Sequence, residues 1–328
     1  MSVDDNRLTI LLPTQNRPSF VRRALKFYEE DLLPYKIHLI DSSEASNKAE
    51  VKEIVKSSGL KIEIHDYEFG VTPFEKFEKT LSLVKTEFVL MVADDDFIFP
   101  SAIIKCVDFL SLNKDYTAAS GRSYIFELDE ADTHSDIKSI GLYPQLPSDN
   151  SSPELRFKSH MRNWTTTAYS VQRTDSLKNI IAVHKQFVDD IRMMEIHWYA
   201  TNVIRGKLAK LDVPYMFRQV SLSKEWSCDD FSDWIKSSDF LERKEILIYE
   251  LAKELTNKNN QSLEHNRAVC ASQLTGWIKD RRPFSLKHCL DYSMNYYWNK
   301  FNEKVGRNKR IAHDLQAVER IREALNEV

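Results

Sequence analysis

Three consecutive carboxylates, Asp94, Asp95 and Asp96, are the residues of this sequence best suited to chemistry. They follow residues 88–93 (FVLMVA), a run apolar enough for a buried strand. Like charges this close raise one another's pKa and oppose folding unless a cation neutralises them. Mg²⁺ or Mn²⁺ would do so and would also bridge to a diphosphate, so the triplet predicts a metal site. The alternative is a solvated turn before a helix, with Asp96 or Ser101 as the N-cap.

Polar segments also follow two apolar runs earlier in the chain. Residues 8–12 (LTILL) end at PTQNR (13–17), and residues 37–40 (IHLI) end at DSS (41–43). Ligands of open parallel sheets bind at the carboxyl ends of the strands, so we expect both segments to lie near the acidic triplet. The alternative for Thr14 and Arg17 is ordinary turn and helix-start chemistry.

The elements that would position these residues alternate between strand and helix. Apolar spacing predicts helices over 18–30, 46–58 and 73–85, and a further strand over 61–65. This order predicts an α/β fold with a mostly parallel sheet flanked by helices. Beyond it the pattern predicts a long connection over 121–160, strands at 165–172, 208–213 and 215–220, helices at 174–184 and 195–206, and an almost wholly helical 233–328.

Composition excludes several classes of function. The closest two of the seven glycines, Gly59 and Gly70, are eleven residues apart, which excludes a Walker A loop and a G-x-G-x-x-G fingerprint. A net charge of -3 gives no basic excess for nucleic acid, and no apolar run is long enough to span a bilayer. The polar N-terminus and four cysteines without a C-x-x-C pair indicate a cytoplasmic protein with reduced thiols.

The runs LTILLPTQNRPSFVRRAL, IDSS, GVTPFEKF and KTEFVLMVADDDF resemble family 2 type glycosyltransferases of the GT-A (Rossmann-like) fold, over roughly residues 7–220. The resemblance implies metal-dependent transfer of a sugar, with inversion, from a nucleotide-sugar of the UDP type to a glycan or lipid-linked acceptor in polysaccharide biosynthesis. It places the family's D-x-D motif at Asp94–Asp96, with Asp96 and Asp94 as ligands of Mg²⁺ or Mn²⁺. It implies that the donor is bound by Pro13, Thr14, Arg17, Asp41, Ser42, Lys76, Asp94 and Asp95. For Lys76 the alternative is a solvated charge on a helix face.

The same resemblance implies a general base, which the family supplies from an E-D pair at the start of a helix. The matching stretch is MEIHW (194–198), where Glu195 is the first candidate and Ile196 replaces the second acid. Asp190 is the second candidate, with Asp189 and His197 in reserve. The alternative for Glu195 is a favourable charge at a helix N-terminus.

Three further residues are candidates for the acceptor or the departing diphosphate. Arg218 or Lys224 would neutralise the leaving group, since cations suit that role. Trp164 would stack on a sugar face, or else it is a large buried aromatic residue of the core.

We expect a GT-A domain over 1–225, with a nucleotide-binding half (1–120) and an acceptor half (121–225), and a helical region over 226–328. Residues 279–310 carry nine Lys or Arg against three Asp or Glu, together with an aromatic stripe at helical spacing. This segment would either rest on an anionic membrane at its inner face or pack on the catalytic domain or on a second copy in a homodimer.

Two other functions are alternatives for this sequence. A sugar-1-phosphate nucleotidyltransferase shares the architecture, but it needs a glycine-rich N-terminal loop that residues 13–18 do not provide. A catalytically silent binding or scaffold protein would keep the fold and use its helical region as a partner surface.

Overall fold

The computed structural model describes residues 5–128, 135–143, 145–187, 190–220, 231–281 and 314–326. Its strands are Leu8–Thr14 (β1), Lys36–Asp41 (β2), Ile62–Asp66 (β3), Phe88–Met91 (β4), Phe97–Ile98 (β5), Tyr116–Leu128 (β6), Ile137–Tyr143 (β7), Val171–Arg173 (β8) and Lys207–Gln219 (β9). Its helices are Pro18–Glu30 (α1), Ala45–Ser57 (α2), Pro73–Leu83 (α3), Pro100–Leu112 (α4), Pro153–Arg162 (α5), Thr174–Ile181 (α6), Ile191–Arg205 (α7), Phe231–Trp234 (α8), Ser238–Thr256 (α9), Leu263–Arg281 (α10) and Leu315–Asn326 (α11), with a short 3₁₀ helix at Ala182–Phe187.

The strands pair into one sheet in the order β3-β2-β1-β4-β8-β6-β9-β5, and β7 pairs with β6. The first four are parallel, so their carboxyl ends lie at one edge. The second half is mixed: β8 is antiparallel to β4 and to β6, whereas β9 is parallel to β6. The predicted α/β fold, with a large sheet flanked by helices, is confirmed.

Helices start where the sequence provides start signals. Proline occupies the first turn of α1, α3, α4 and α5, where its missing N–H costs no hydrogen bond. The Thr72 side chain caps α3 by accepting from the backbone N–H of Glu75. These start signals, together with the apolar spacing within 18–30 and 73–85, predicted α1 and α3 almost to their ends.

The prediction of a long connection over 121–160 is wrong. Strand β6 continues through it to Leu128, β7 returns antiparallel, and α5 begins at Pro153. Strand β7 is half-exposed, so it carries polar residues on its outward side and lacks the apolar signature of a buried strand.

The predicted strand over 165–172 is also mostly wrong, since only its last two residues enter β8. Thr167 lies instead in a turn. The Thr167 carbonyl accepts from Gln172 Nε2, and the Thr167 Oγ1 accepts from Asn202 Nδ2 of α7. The two strands predicted on either side of Pro214 are one strand, β9. A shift in its register with β6 near Arg122 accommodates the proline.

Both faces of the sheet are covered, and a separate core lies under the C-terminal helices. One cluster joins α1, α2, α4 and α11 to the sheet, and another joins α3, α6 and α7 to its opposite face. A third cluster is shared by α5, α7, α9 and α10, with Leu247, Leu251 and Leu274 all at most 1% exposed. The C-terminal helices thus share apolar contacts with the helix that carries Glu195.

Parts of the helical region lie outside the described residues. These parts include 282–313, and with them nearly all of the predicted membrane or subunit surface at 279–310. Among the helices that are described, none has the length and apolar character required to cross a membrane.

Candidate functional site

The end of β1 is joined to the acidic triplet by a direct hydrogen bond, and the end of β2 lies beside it. Thr14 and Asp41 are partners in the register of β1 and β2, and Thr14 Oγ1 donates to Asp94 Oδ2 at 2.7 Å. Lys76 of α3 reaches the same point: its Nζ donates to the Thr14 carbonyl at 3.1 Å and to Ser42 Oγ at 2.7 Å. All five residues are buried. The structure therefore brings together the residues that the sequence placed at one edge of the sheet, and Lys76 is not a solvated charge.

The loop after β1 is fixed to the loop after β2. Asn16 has a positive φ of 54°, a conformation that asparagine tolerates better than most residues. Its side-chain oxygen accepts from the Glu44 N–H at 2.8 Å, and its own N–H donates to Ser43 Oγ at 2.7 Å. Pro13 is half-buried in β1, opposite Ile40. These contacts hold the candidate donor-binding residues in a defined arrangement.

Arg17 neutralises two of the three carboxylates. Its guanidinium lies 2.8 Å from Asp94 Oδ1 and 3.0 Å from Asp95 Oδ2, and it stacks over the Phe20 ring at 3.9 Å. Burial raises the pKa of Asp94 to about 6, and the Arg17 cation opposes that rise. Part of the charge compensation that the sequence assigned to a metal therefore comes from this arginine.

Arg23 is a second cation at the triplet, and it was not predicted from the sequence. Its side chain is 1% exposed, and Nη2 donates to the Asp95 carbonyl at 3.1 Å and to Gln219 Oε1 at 2.7 Å. Burial lowers its pKa to about 10, which leaves the group protonated at neutral pH. The signal available in the sequence was its spacing: Arg23 precedes Phe27 by four residues, on the side of α1 that faces the sheet.

Asp96 differs from Asp94 because one of its carboxylate oxygens has no hydrogen-bond partner among the described residues. Oδ1 accepts from the Gln219 N–H at 3.0 Å, whereas Oδ2 is buried with no hydrogen-bond partner among the described residues. Burial, followed by the charge of Asp95, raises the pKa of Asp96 well above its usual value, and Arg218 opposes this. An unpaired buried carboxylate oxygen is costly, so this atom fits a cation that arrives with a ligand.

The residues present fit Mg²⁺ or Mn²⁺ as a cation held jointly with substrate. Such ions are often bound by one or two carboxylates together with substrate phosphates. Both oxygens of Asp94 already have protein partners, which leaves Asp96 as the principal ligand. Within the described ranges, the group of three or more His, Cys, Asp or Glu side chains close enough to hold a metal lies elsewhere, at His38, Glu63 and His65.

Glu195 and Asp96 are linked electrostatically through Arg218. The Arg218 Nη1 donates to the Tyr143 hydroxyl at 3.0 Å, and its guanidinium lies 5.5 Å and 5.4 Å from the Tyr143 and Tyr169 ring centroids. Burial raises the pKa of Glu195, while Arg218 and a hydrogen bond from Tyr199 lower it. One cation thus stabilises the charged forms of both carboxylates.

The predicted helix start at Glu195 is wrong. Helix α7 begins at Ile191, and Asp190 is its N-cap, with the carboxylate accepting from the Met193 N–H at 3.0 Å and from Trp234 Nε1 at 2.9 Å. Glu195 therefore lies in the second turn. The start of the helix was missed because Asp190 was not recognised as its N-cap, three residues before Met193.

The remaining site candidates either pack in the core or lie outside the described residues. The ring centroid of His197 lies 5.4 Å from that of His184 and 5.5 Å from that of Phe187. Burial lowers the pKa of His197 well below the usual value, so it is a neutral core residue. Trp164 is half-buried, with ring centroids of Tyr199 and Trp277 at 5.6 Å and 5.2 Å. Asp189 and Lys224 lie outside the described residues.

Solved structures match this arrangement of elements. TarS residues 1–349 from S. aureus in complex with UDP shares 15% identity, with 98% of this chain and 90% of that chain covered and a TM-score of 0.51. The same protein in complex with UDP-GlcNAc gives 13% identity, 82% and 71% coverage, and a TM-score of 0.51. No protein-family model and no curated protein sequence matches the chain.

The fold is that of the GT-A glycosyltransferases. Identities this low carry the likeness of fold alone. In this GT-A fold the acidic triplet follows the fourth strand, β4, and the half-buried carboxylate Glu195 lies on α7, the helix before the long strand β9.

Proposed function

We propose that this protein is a glycosyltransferase that binds a nucleotide-sugar donor beside Asp94–Asp96 and transfers the sugar, with inversion, to a hydroxyl of a glycan or lipid-linked acceptor. The observation that carries the proposal is the buried Oδ2 of Asp96, which has no hydrogen-bond partner in the part of the chain that the structure describes. Arg218 links Asp96 electrostatically to Glu195. The likeness to TarS, whose structures contain UDP and UDP-GlcNAc, supports a UDP-type donor.

The residues at the donor end of the proposed site would bind a nucleoside diphosphate. The Asp41 and Thr14 region, with the Lys76 ammonium, offers hydrogen bonds to a base and ribose. Burial lowers the pKa of Lys76 to about 8, and the charges of Asp41 and Asp94 oppose that change, so most of the side chain is cationic at neutral pH. Asp96, supported by Asp94, would hold Mg²⁺ or Mn²⁺, which when bound neutralises the charge of the diphosphate.

The acceptor end of the site offers a base and a cation. Glu195 would take the proton of the acceptor hydroxyl as its oxygen attacks the anomeric carbon, and the bond from that carbon to the diphosphate oxygen breaks with its electron pair on the diphosphate. A raised pKa makes the Glu195 carboxylate a stronger base than an exposed glutamate. Arg218 would stabilise the negative charge that develops on the leaving group.

Calorimetry with UDP in the presence and absence of Mn²⁺ tests this proposal. Asp96→Asn should abolish the metal-dependent part of UDP binding, whereas Asp175→Asn, at an exposed position of α6, should bind as the wild type does. Unchanged affinity and metal dependence in Asp96→Asn would contradict the assignment. Absence of UDP binding by the wild type would favour a silent scaffold, and preference for a triphosphate with release of pyrophosphate would favour a nucleotidyltransferase.

A further inference from the structure

His38, Glu63 and His65 form a cluster of metal-ligating side chains on two neighbouring strands. His38 of β2 is the register partner of Glu63 of β3, and His65 lies two residues further along β3. Side chains two residues apart in a strand point to the same face, so all three lie on one side of the sheet. One ligand atom of each lies within 4.8 Å of those of the other two.

The distances between the nitrogen and oxygen atoms of this cluster are close to those between ligand atoms around a bound metal ion. His38 Nε2 lies 3.7 Å from Glu63 Oε2, and His65 Nε2 lies 3.5 Å from Glu63 Oε1. A tetrahedral ion with bonds of about 2.0–2.1 Å holds its ligand atoms about 3.3 Å apart. The two imidazole ring centroids are 4.6 Å apart. Small side-chain rotations would therefore bring the three ligand atoms to coordination distance.

Burial prepares both histidines as ligands. Their side chains are 7% and 9% exposed, and His38 Nδ1 and His65 Nε2 have no hydrogen-bond partner in the described part of the chain. Burial lowers the pKa of His38 to about 4 and also lowers the pKa of His65, which favours the neutral, metal-ligating form of each imidazole. A hydrogen bond from Lys36 lowers the pKa of Glu63 and keeps that carboxyl group ionised. Metal binding requires these protonation states.

We propose that His38, Glu63 and His65 bind a divalent transition-metal ion, with Zn²⁺ as the best match, and that the ion ties the edge strand β3 to β2. Two imidazoles and one carboxylate suit Zn²⁺, whereas Mg²⁺ prefers oxygen ligands throughout. This site is separate from the metal position at Asp96 and does not depend on the proposed glycosyltransferase activity.

Calorimetric titration of the chelator-treated full chain with zinc chloride, without nucleotide, tests the proposal. The wild type should bind one equivalent at this site. Glu63→Gln and the double variant His38→Gln/His65→Gln should weaken that binding by at least about tenfold. Glu63 is 46% exposed, so its variant is expected to fold, and circular dichroism checks this for both variants. His265→Gln, which removes a histidine whose side chain is 48% exposed, serves as the control and should bind zinc unchanged.

Two results would overturn the proposal: no zinc bound by the wild type, or the same affinity and stoichiometry in Glu63→Gln and the double variant. Lys36→Met adds a check of position. The Lys36 ammonium is paired with Glu63 and repels an incoming cation, so its removal should tighten zinc binding. Unchanged or weaker binding in Lys36→Met would place the ion away from Glu63.

Discussion

Arg17 Nη1 lies 2.8 Å from Asp94 Oδ1, an ion pair between residues 77 positions apart in the chain. It joins the loop after β1 to the end of β4, two strands that are neighbours in the sheet. Because Asp94 is only 4% exposed, its charge is tolerated through this pair and the hydrogen bond from Thr14. The site that we assign to the donor is thus assembled, and largely neutralised, before any ligand binds.

Asp94 should make stability depend on pH. Its pKa is about 6 in the folded protein against 3.8 for the free group, so the folded state binds more protons between these values. Its contribution is therefore most favourable below pH 4 and falls as the pH rises to about 6, by about 3 kcal/mol. Urea unfolding at several pH values should show the wild type losing stability relative to Asp94→Asn over this range.

The difference between the two proteins is the quantity to measure in that experiment. Buried neutral histidines such as His160, whose pKa burial lowers to about 3, act in the opposite direction because they must gain a proton on unfolding in acid. Their contribution is the same in wild type and variant and cancels in the difference. A difference that stays constant from pH 4 to pH 7 would show that the pKa of Asp94 is not raised.

Glu195→Gln should lower turnover by about 10²–10⁴-fold, since glutamine keeps the shape of the side chain but cannot accept the proton. Binding of UDP and Mn²⁺ should hardly change, because Asp96 and its neighbours are intact. Turnover of a nucleotide-sugar, with chemistry as the slow step, is the measurement. Asp190→Asn is the matched control, because asparagine also caps a helix. Loss of turnover in the control alone would move the base to the N-cap of α7.

Arg218→Gln should shift the acidic limb of the pH profile of kcat/KM to higher pH. The Arg218 cation lowers the pKa of Glu195, so its removal raises that pKa and a larger fraction of the base is protonated at a given pH. The profile is measured beside that of Arg173→Gln, whose guanidinium donates to the carbonyls of Tyr116 and Leu110, away from both carboxylates. A limb that stays in place, or that moves to lower pH, would separate Arg218 from the base.

Truncation after residue 225 should yield a protein that is insoluble or much less stable than the full chain. It would expose the faces of α5 and α7 that pack on α9 and α10. A buried leucine contributes about 1.5–3 kcal/mol, and several lie in this cluster. Thermal unfolding of the two proteins is the measurement. In the full chain, Leu251→Ala, which leaves a cavity in the same cluster, should lower stability by about 2–5 kcal/mol. A truncated chain with an unchanged melting temperature would show that residues 1–225 fold independently.

Local sequence patterns were sufficient to predict the parallel half of the sheet and the group of residues at its edge. Buried parallel strands such as β1, β2 and β4 appear as short apolar runs, and their carboxyl ends meet at one edge whatever the details of packing. Thr14, Asp41 and the acidic triplet could therefore be placed together before any contact was known. The half-exposed strand β7 and the start of α7 carried weaker local signals, and both were misjudged.

The pairing of charges at the site depends on how distant parts of the chain pack together. The contacts of Arg17 and Arg23 with the triplet and the coupling of Arg218 to Glu195 join different segments of the chain. The lack of a hydrogen-bond partner for Asp96 Oδ2 among the described residues also follows from this packing. The His38, Glu63 and His65 cluster likewise depends on the register between β2 and β3. Register and side-chain direction follow from packing over the whole sheet, and local spacing in the sequence does not encode them.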